Sequence, residues 1–300
     1  MIQALETEQL GKRYGRTWAL RDCTLRVPIG HLAGLVGPNG AGKTTLLHLA
    51  IGLLAPTSGT VKVFGYHPGK EAGQVLSKVG FIAQEHPLYR TFSVEEMLTA
   101  GRKLNAHWDQ SLAVRRLKQL GIPLRQRIGK LSGGQQAQVA LVMTLAKRPE
   151  LLLLDEPLAS LDPLARREFQ QTLLDAVAEE GLSVVISSHL VADLERFCDH
   201  LVILSASRVQ ITGEVDHLIQ SHKLLVGPRE RAHVSTSAYT VITAREAERH
   251  CMLLVQLHGP LVDPTWDVRD VSLEEIILAY LSQPESGTKR SEEKHLEVTP

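Results

Sequence analysis

Residues 37–45 read Gly-Pro-Asn-Gly-Ala-Gly-Lys-Thr-Thr and fit the pattern G-x-x-x-x-G-K-[ST] through Gly37, Gly42, Lys43 and Thr44. No other stretch restricts the fold as strongly, because the pattern has its meaning only between a strand and a helix. Both flanks qualify. Residues 32–36 are apolar enough for a buried strand, and residues 46–54 read as a helix packed on a sheet. Glycines let the backbone curl so that several N–H groups face one anion. The helix N-terminus adds positive potential at the same place. Lys43 is then placed to reach the β- and γ-phosphates of a nucleotide, and the Thr44 hydroxyl to hold Mg²⁺. A merely structural glycine turn has no need of the Lys-Thr pair.

A second element lies downstream. Leu151-Leu152-Leu153-Leu154 followed by Asp155-Glu156 suits a central parallel strand covered on both faces. Carboxylates at the C-terminal end of such a strand sit where open α/β sheets place their ligands. Asp155 is positioned to hold Mg²⁺, directly or through water, and Glu156 to orient and polarise an attacking water. The expected class is therefore α/β, a nucleotide-binding core with a mostly parallel sheet. Kinases, GTPases and helicases all remain open at this point.

The run Leu131-Ser132-Gly133-Gly134-Gln135 narrows the field. Ser132 before two glycines predicts a tight helix start with Ser132 near the cap, followed by an apolar helix over 139–145. Taken with the other two elements, it resembles the signature of the ATP-binding cassette family, the motor subunits of membrane transporters. The resemblance implies that the loop Gly37, Pro38, Asn39, Gly40, Ala41, Gly42, Lys43, Thr44 and Thr45 cradles ATP with Mg²⁺. It also implies that Ser132, Gly133, Gly134 and Gln135 of one subunit face the γ-phosphate held by another, a second helix N-terminus aimed at an anion. Smaller matches agree in order. Tyr14, in Lys12-Arg13-Tyr14-Gly15, matches the aromatic residue that stacks on adenine, with Trp18 as the rival. Gln84, after an apolar strand over 79–83, matches the glutamine that senses Mg²⁺ and the attacking water. Asp162, in Ser160-Leu161-Asp162-Pro163, matches the dimer-facing loop and is also a good helix cap. His189, after a strand over 183–187, matches the histidine that contacts the γ-phosphate. One departure is visible: the family usually carries a basic residue after the signature, where this chain has Gln136-Ala137-Gln138-Val139.

The organisation expected is a nucleotide-binding domain over 1–213, an accessory domain over 214–282 and a disordered polar tail over 283–300. Within the first, the antiparallel β subdomain comes early, and a helical subdomain at about 86–145 contains the region, near 85–110, that a transmembrane partner touches by resemblance. Ser93 with Glu96, and Ser272 with Glu275, read as capping boxes. Leu273, Ile276, Ile277, Tyr280 and Leu281 share a helical face, and the closing Ser-Leu-Glu-Glu-Ile-Ile resembles the last helix of ABC-2 exporter motors. Thirty-three basic and 33 acidic side chains give a formal net charge of zero, with no electrostatic footprint for nucleic acid. Cys23, Cys198 and Cys251 are too widely spaced for a metal site or a disulfide framework, as in a reduced cytosolic protein. Neither a signal peptide nor a bilayer-spanning stretch is evident.

The resemblance thus implies an ATPase at the cytoplasmic face of the cell membrane. It would dimerise with itself or a sister motor and drive a separate polytopic permease, as an exporter. The alternative is a soluble cassette ATPase acting on ribosomes or DNA. Ribosome-acting relatives usually carry two cassettes, and DNA-acting ones insert coiled coils or zinc modules where this chain has only residues 85–131.

Overall fold

The computed structural model describes residues 2–231, 237–248, 250–259 and 265–283. The tail expected over 283–300 lies outside the described residues apart from Gln283. The centre is a six-stranded sheet built from β3 (Leu32–Val36), β5 (Val79–Ile82), β6 (Leu151–Leu154), β7 (Ser183–Ser188), β8 (His200–Ser205) and β9 (Arg208–Glu214). Its order is β5-β6-β7-β3-β8-β9, all parallel except the edge strand β9. Every residue of β3, β6 and β7 is buried, so these strands do not alternate between buried and exposed positions.

The two faces of that sheet carry separate cores. Ala33, Leu35, Leu151, Leu153 and Val185 point into one, shared with helix α1 (Lys43–Ala50). The same core holds a three-stranded antiparallel sheet of β1 (Leu5–Tyr14), β2 (Thr17–Val27) and β4 (Ser58–Val63), in the order β2-β1-β4. Short helix α2 (Ala72–Lys78) leads into β5. Leu32, Val36, Leu152, Leu154, Val184 and Ile186 point into the other core, against α5 (Gly133–Ala146) and α6 (Pro163–Glu180). Helices α3 (Val94–Leu104) and α4 (Gln110–Gln119) pack with α5 through Val94, Leu98, Leu117, Val139 and Val142.

Helix boundaries differ from the sequence expectations for local reasons. Helix α1 starts at Lys43 and stops at Ala50 instead of running over 46–54, because Gly52 turns the chain with a φ of +78°. Helix α5, by contrast, begins at Gly133 directly after Ser132, where the Ser-Gly-Gly run predicted a start. A capping box between Ser132 and Gln135 satisfies its first turn.

Beyond β9, α7 (Val215–Ser221) leads into a four-stranded antiparallel sheet of β10 (His222–Pro228), β11 (Tyr239–Glu246), β12 (His250–Leu257) and β13 (Asp267–Arg269), ordered β11-β12-β10-β13. Helix α8 (Leu273–Leu281) then returns to the main body. Its Leu273, Ile276, Ile277 and Tyr280 join the core that contains Ile186 and Ile203, which ties the C-terminal sheet to the nucleotide-binding half. A buried hydrogen-bond chain fastens this joint. His222 is fully buried, with Nδ1 2.7 Å from the Leu218 carbonyl and Nε2 3.0 Å from the Tyr280 hydroxyl. A carbonyl only accepts, so Nδ1 carries the proton and Nε2 accepts from Tyr280. Burial pushes the Tyr280 phenol up to about 12.

Two consequences can be measured. Gln138, in the position where the basic residue is missing, is buried with neither side-chain amide atom hydrogen-bonded. Gln138→Met removes both orphaned groups at nearly constant shape and should stabilise the fold by about 1–2 kcal/mol, read as a rise in Tm. Burial also lowers the His86, His200 and His222 imidazoles from their ordinary range. The unfolded chain therefore takes up protons that the folded chain refuses. Their contribution to stability is complete above about pH 6.5 and is lost as the pH falls below it. Thermal melts should show a lower Tm at about pH 5.5 than at about pH 7.5.

Candidate functional site

Strands β6, β7 and β3 are neighbours and parallel, so the segments leaving their C-terminal ends converge. The loop after β3 is residues 37–42, β6 leads to Asp155 and Glu156, and β7 leads to His189. Together they form a cleft of about 510 Å³, lined by Ala19, Asn39, Gly40, Gly42, Lys43, Thr44, Thr45, Gln84, Glu156 and His189.

The loop's shape depends on two glycines. Gly42 has a φ of +107°, and a Cβ there would fall 2.4 Å from the Ala19 carbonyl oxygen. At Gly37 a Cβ would fall 2.2 Å from the Leu204 carbonyl oxygen. Gly42 caps α1 without a side-chain hydrogen bond, and no acidic residue occupies the first turn. The positive end of the helix therefore opens onto the cleft with no acceptor of its own, which fits an anionic ligand such as a polyphosphate.

Lys43 is buried and lies under the loop. Its Nζ donates to the carbonyls of Gly37 at 2.7 Å and Pro38 at 3.2 Å, and stands 3.1 Å from Glu156 Oε1. At an effective dielectric constant of about 20, a charge pair this close attracts by roughly 5 kcal/mol. The desolvation of two buried ions offsets most of that. The net hold on Lys43 is thus weak enough for a phosphate to compete with Glu156. The second Glu156 oxygen, Oε2, is 2.7 Å from His189 Nδ1. Glu156 itself sits at a φ of +46°, an unusual backbone state for a non-glycine residue at the mouth of a cleft.

Asp155 is 2 % exposed, and its Oδ1 accepts from Ser187 Oγ at 2.8 Å. Ser187 Oγ also accepts from the Glu156 backbone N–H at 2.8 Å. One buried hydroxyl from β7 therefore fixes both acidic positions. The sequence pointed to neither this role of Ser187 nor to Arg166 and Asp193, whose ion pair spans 3.2 Å. Their flanking residues carry no signal that could have found them.

Other expected positions stand apart from the cleft. Ser132 caps α5, and its hydroxyl accepts from the Gln135 N–H at 3.2 Å while Gln135 Oε1 accepts from the Ser132 N–H at 3.1 Å. Gly134 meets the start of α6, where an added Cβ would lie 2.5 Å from Ala165 Cβ; Gly133 has open space. Asp162 caps α6, accepting from the Leu164 and Ala165 N–H groups at 3.0 Å each. Tyr14 is half exposed at the end of β1 with Lys12 Nζ 5.4 Å from its ring centre. None of Ser132, Gly133, Gly134, Gln135, Asp162 and Tyr14 lines the cleft. Among the described residues no helix is long and apolar enough to cross a membrane, and none of their His, Cys, Asp and Glu side chains group into a metal-binding cluster.

Comparison with known proteins places the chain in one family. The profile of the ABC transporter family matches residues 20–159. The ABC transporter ATP-binding protein YtrB of Bacillus subtilis is 28 % identical over 92 % of this chain and 97 % of its own length. The phosphonates import ATP-binding protein PhnC of Thiobacillus denitrificans is 32 % identical over 79 % of this chain and 97 % of its own. A solved ATP-binding subunit of an ABC transporter superposes with a TM-score of 0.65 at 28 % identity, covering 72 % of this chain and 92 % of that one. The chain belongs to the ABC transporter family. It is an ATP-binding subunit, and its activity is ATP hydrolysis.

The two positive-φ glycines of the loop separate strain from collision. Gly40 has a φ of +81° and nothing within 4 Å of an added Cβ. Gly40→Ala should cost about 1 kcal/mol of backbone strain and leave ATP binding measurable by calorimetry. Gly42→Ala meets the Ala19 carbonyl as well and should abolish binding.

Proposed function

We propose that this chain is the motor of an exporter, working at the cytoplasmic face of a membrane on a separate polytopic permease. The observation that carries the reading is the division of the site. Lys43, Gln84, Glu156 and His189 meet in one cleft, whereas the capped helix start at Ser132 stands outside it with Gly133 open to solvent. Such a half-site calls for a second subunit, a copy of this chain or a sister motor, set head to tail so that Ser132–Gln135 of each closes the cleft of the other.

In this reading the residues divide the work. The backbone of Gly37, Pro38, Asn39, Gly40, Ala41 and Gly42, with Lys43, Thr44 and Thr45, binds the phosphates of ATP. Thr44, Gln84 and Asp155 hold Mg²⁺, which when bound supplies charge neutralisation on the phosphates. Tyr14 stacks on the base. Lys43 leaves Glu156 for the γ-phosphate, which frees the Glu156 carboxylate to orient a water and accept its proton. His189, hydrogen-bonded to Glu156, holds that carboxylate toward the cleft. Asp162 keeps α6 capped beside the subunit boundary. Closure follows binding because one γ-phosphate touches both subunits, and reopening follows its loss.

Direction rests on the C-terminal part. The helix closing at Ser272–Leu281 resembles that of ABC-2 exporter motors.

Glu156→Gln should keep ATP affinity within about twofold, lose turnover, and trap an ATP-bound dimer by size-exclusion chromatography. Purified from native membranes in mild detergent, that variant should carry a polytopic membrane protein at near-equal amount. Full turnover would remove Glu156 from its role, and ribosomal or DNA-bound partners in place of a membrane protein would overturn the motor assignment.

A further inference from the structure

Behind Glu156 and His189 lies a second pair of charges that does not line the cleft, its carboxylate buried and its guanidinium partly exposed. Asp193 ends the short turn Val191–Asp193 that follows His189, and it is 6 % exposed. Two side chains of α6, one helical turn apart, grip it. Arg166 Nη1 is 3.2 Å from Asp193 Oδ1, and Gln170 Nε2 donates to the Asp193 main-chain oxygen at 3.3 Å. Arg166 Nη2 also reaches the main-chain oxygen of Leu158 at 3.4 Å. One guanidinium thus holds the segment leaving Glu156 and the turn leaving His189 together. A planar fork with several fixed donors can serve two acceptors in this way, whereas a lysine offers one point charge.

The surroundings make this bond consequential. Burial pushes the Asp193 carboxyl above its usual range while the Arg166 charge opposes it, and the charges of His189 and Glu156 act on the same carboxyl. Val191, which opens the turn, and Leu194, which follows it, share a core with Leu273, Ile276 and Ile277 of α8. The turn is therefore gripped from α6 by polar contacts and backed from α8 by apolar ones. What remains adjustable is where His189 stands relative to Glu156.

We propose that Arg166 and Asp193 are positioning residues for ATP hydrolysis, their ion pair setting the separation of Glu156 and His189 without touching the nucleotide. This rests on the roles given to Glu156 and His189 above. Arg166 fixes the Leu158 end, Asp193 fixes the His189 end, and α8 keeps the turn pressed against both.

The test uses the purified full chain with ATP. Arg166→Gln and Asp193→Asn should each lower kcat about tenfold or more, the penalty expected for misplacing reacting groups by a fraction of an ångström to one ångström, with KM for ATP within about twofold. The double variant should lose no more than the worse single one, since both break one unit. Arg166→Met with Asp193→Leu replaces the pair by apolar side chains and should keep Tm near that of the parent, yet remain about tenfold slow. Singles with parental kcat, or an apolar pair that restores it, would overturn the proposal by reducing the ion pair to a stability element. Glu156→Gln in the same assay separates the two ideas. If it turns over normally, the roles in the cleft fail; if it is dead while Asp193→Asn is normal, only the positioning proposal fails.

Discussion

The molecule depends on three parallel strands, β6, β7 and β3, lying side by side with both faces buried. Parallel pairing turns all their C-terminal ends the same way, so three loops far apart in sequence share one edge of the sheet. Burial on both faces leaves the strands no freedom to slip, because each residue is committed to one of two cores. Ser187 converts this rigidity into a local constraint. Its hydroxyl bonds to Asp155 and to the backbone of Glu156, so the register between β6 and β7 sets where the acidic pair stands. The strained backbone at Glu156 is tolerable only within such a frame.

Much of this was legible before the structure, and the reason is that the legible parts are local. The phosphate-binding loop, the four leucines before Asp155, the capping boxes at Ser93 and Ser272 and the serine cap at Ser132 are all short patterns whose physics lies within a few residues. The capping boxes are present at all three serines. The order of strand and helix over 151–213 is legible from the pattern as well, whereas the early antiparallel subdomain was expected from the family resemblance.

What escaped notice is non-local. Ser187 matters because its hydroxyl meets a neighbouring strand, and Arg166 and Asp193 because they meet each other across 27 positions. Nothing in their flanking residues sets them apart from any serine, arginine or aspartate. One helix was misplaced at both ends, α1, where the glycine turn at Gly52 overrode the apolar run. The C-terminal sheet was not legible strand by strand, since β12 carries a continuous apolar run without alternation and β13 is only three residues long. The missing basic residue near Gln138 was visible as a gap in a pattern, but not as a buried amide without partners.

The seating of α8 beneath the turn after His189 has a thermodynamic corollary. Two regions that share one core also share free energy, and such sharing is reciprocal. If nucleotide affinity differs between two positions of α8, a molecule whose binding to the C-terminal sheet favours one of them alters nucleotide affinity by a certain factor. Nucleotide would in turn alter the affinity of that molecule by the same factor. The accessory sheet can thus report on the nucleotide state as readily as it can govern it, with no contact between the two ligands.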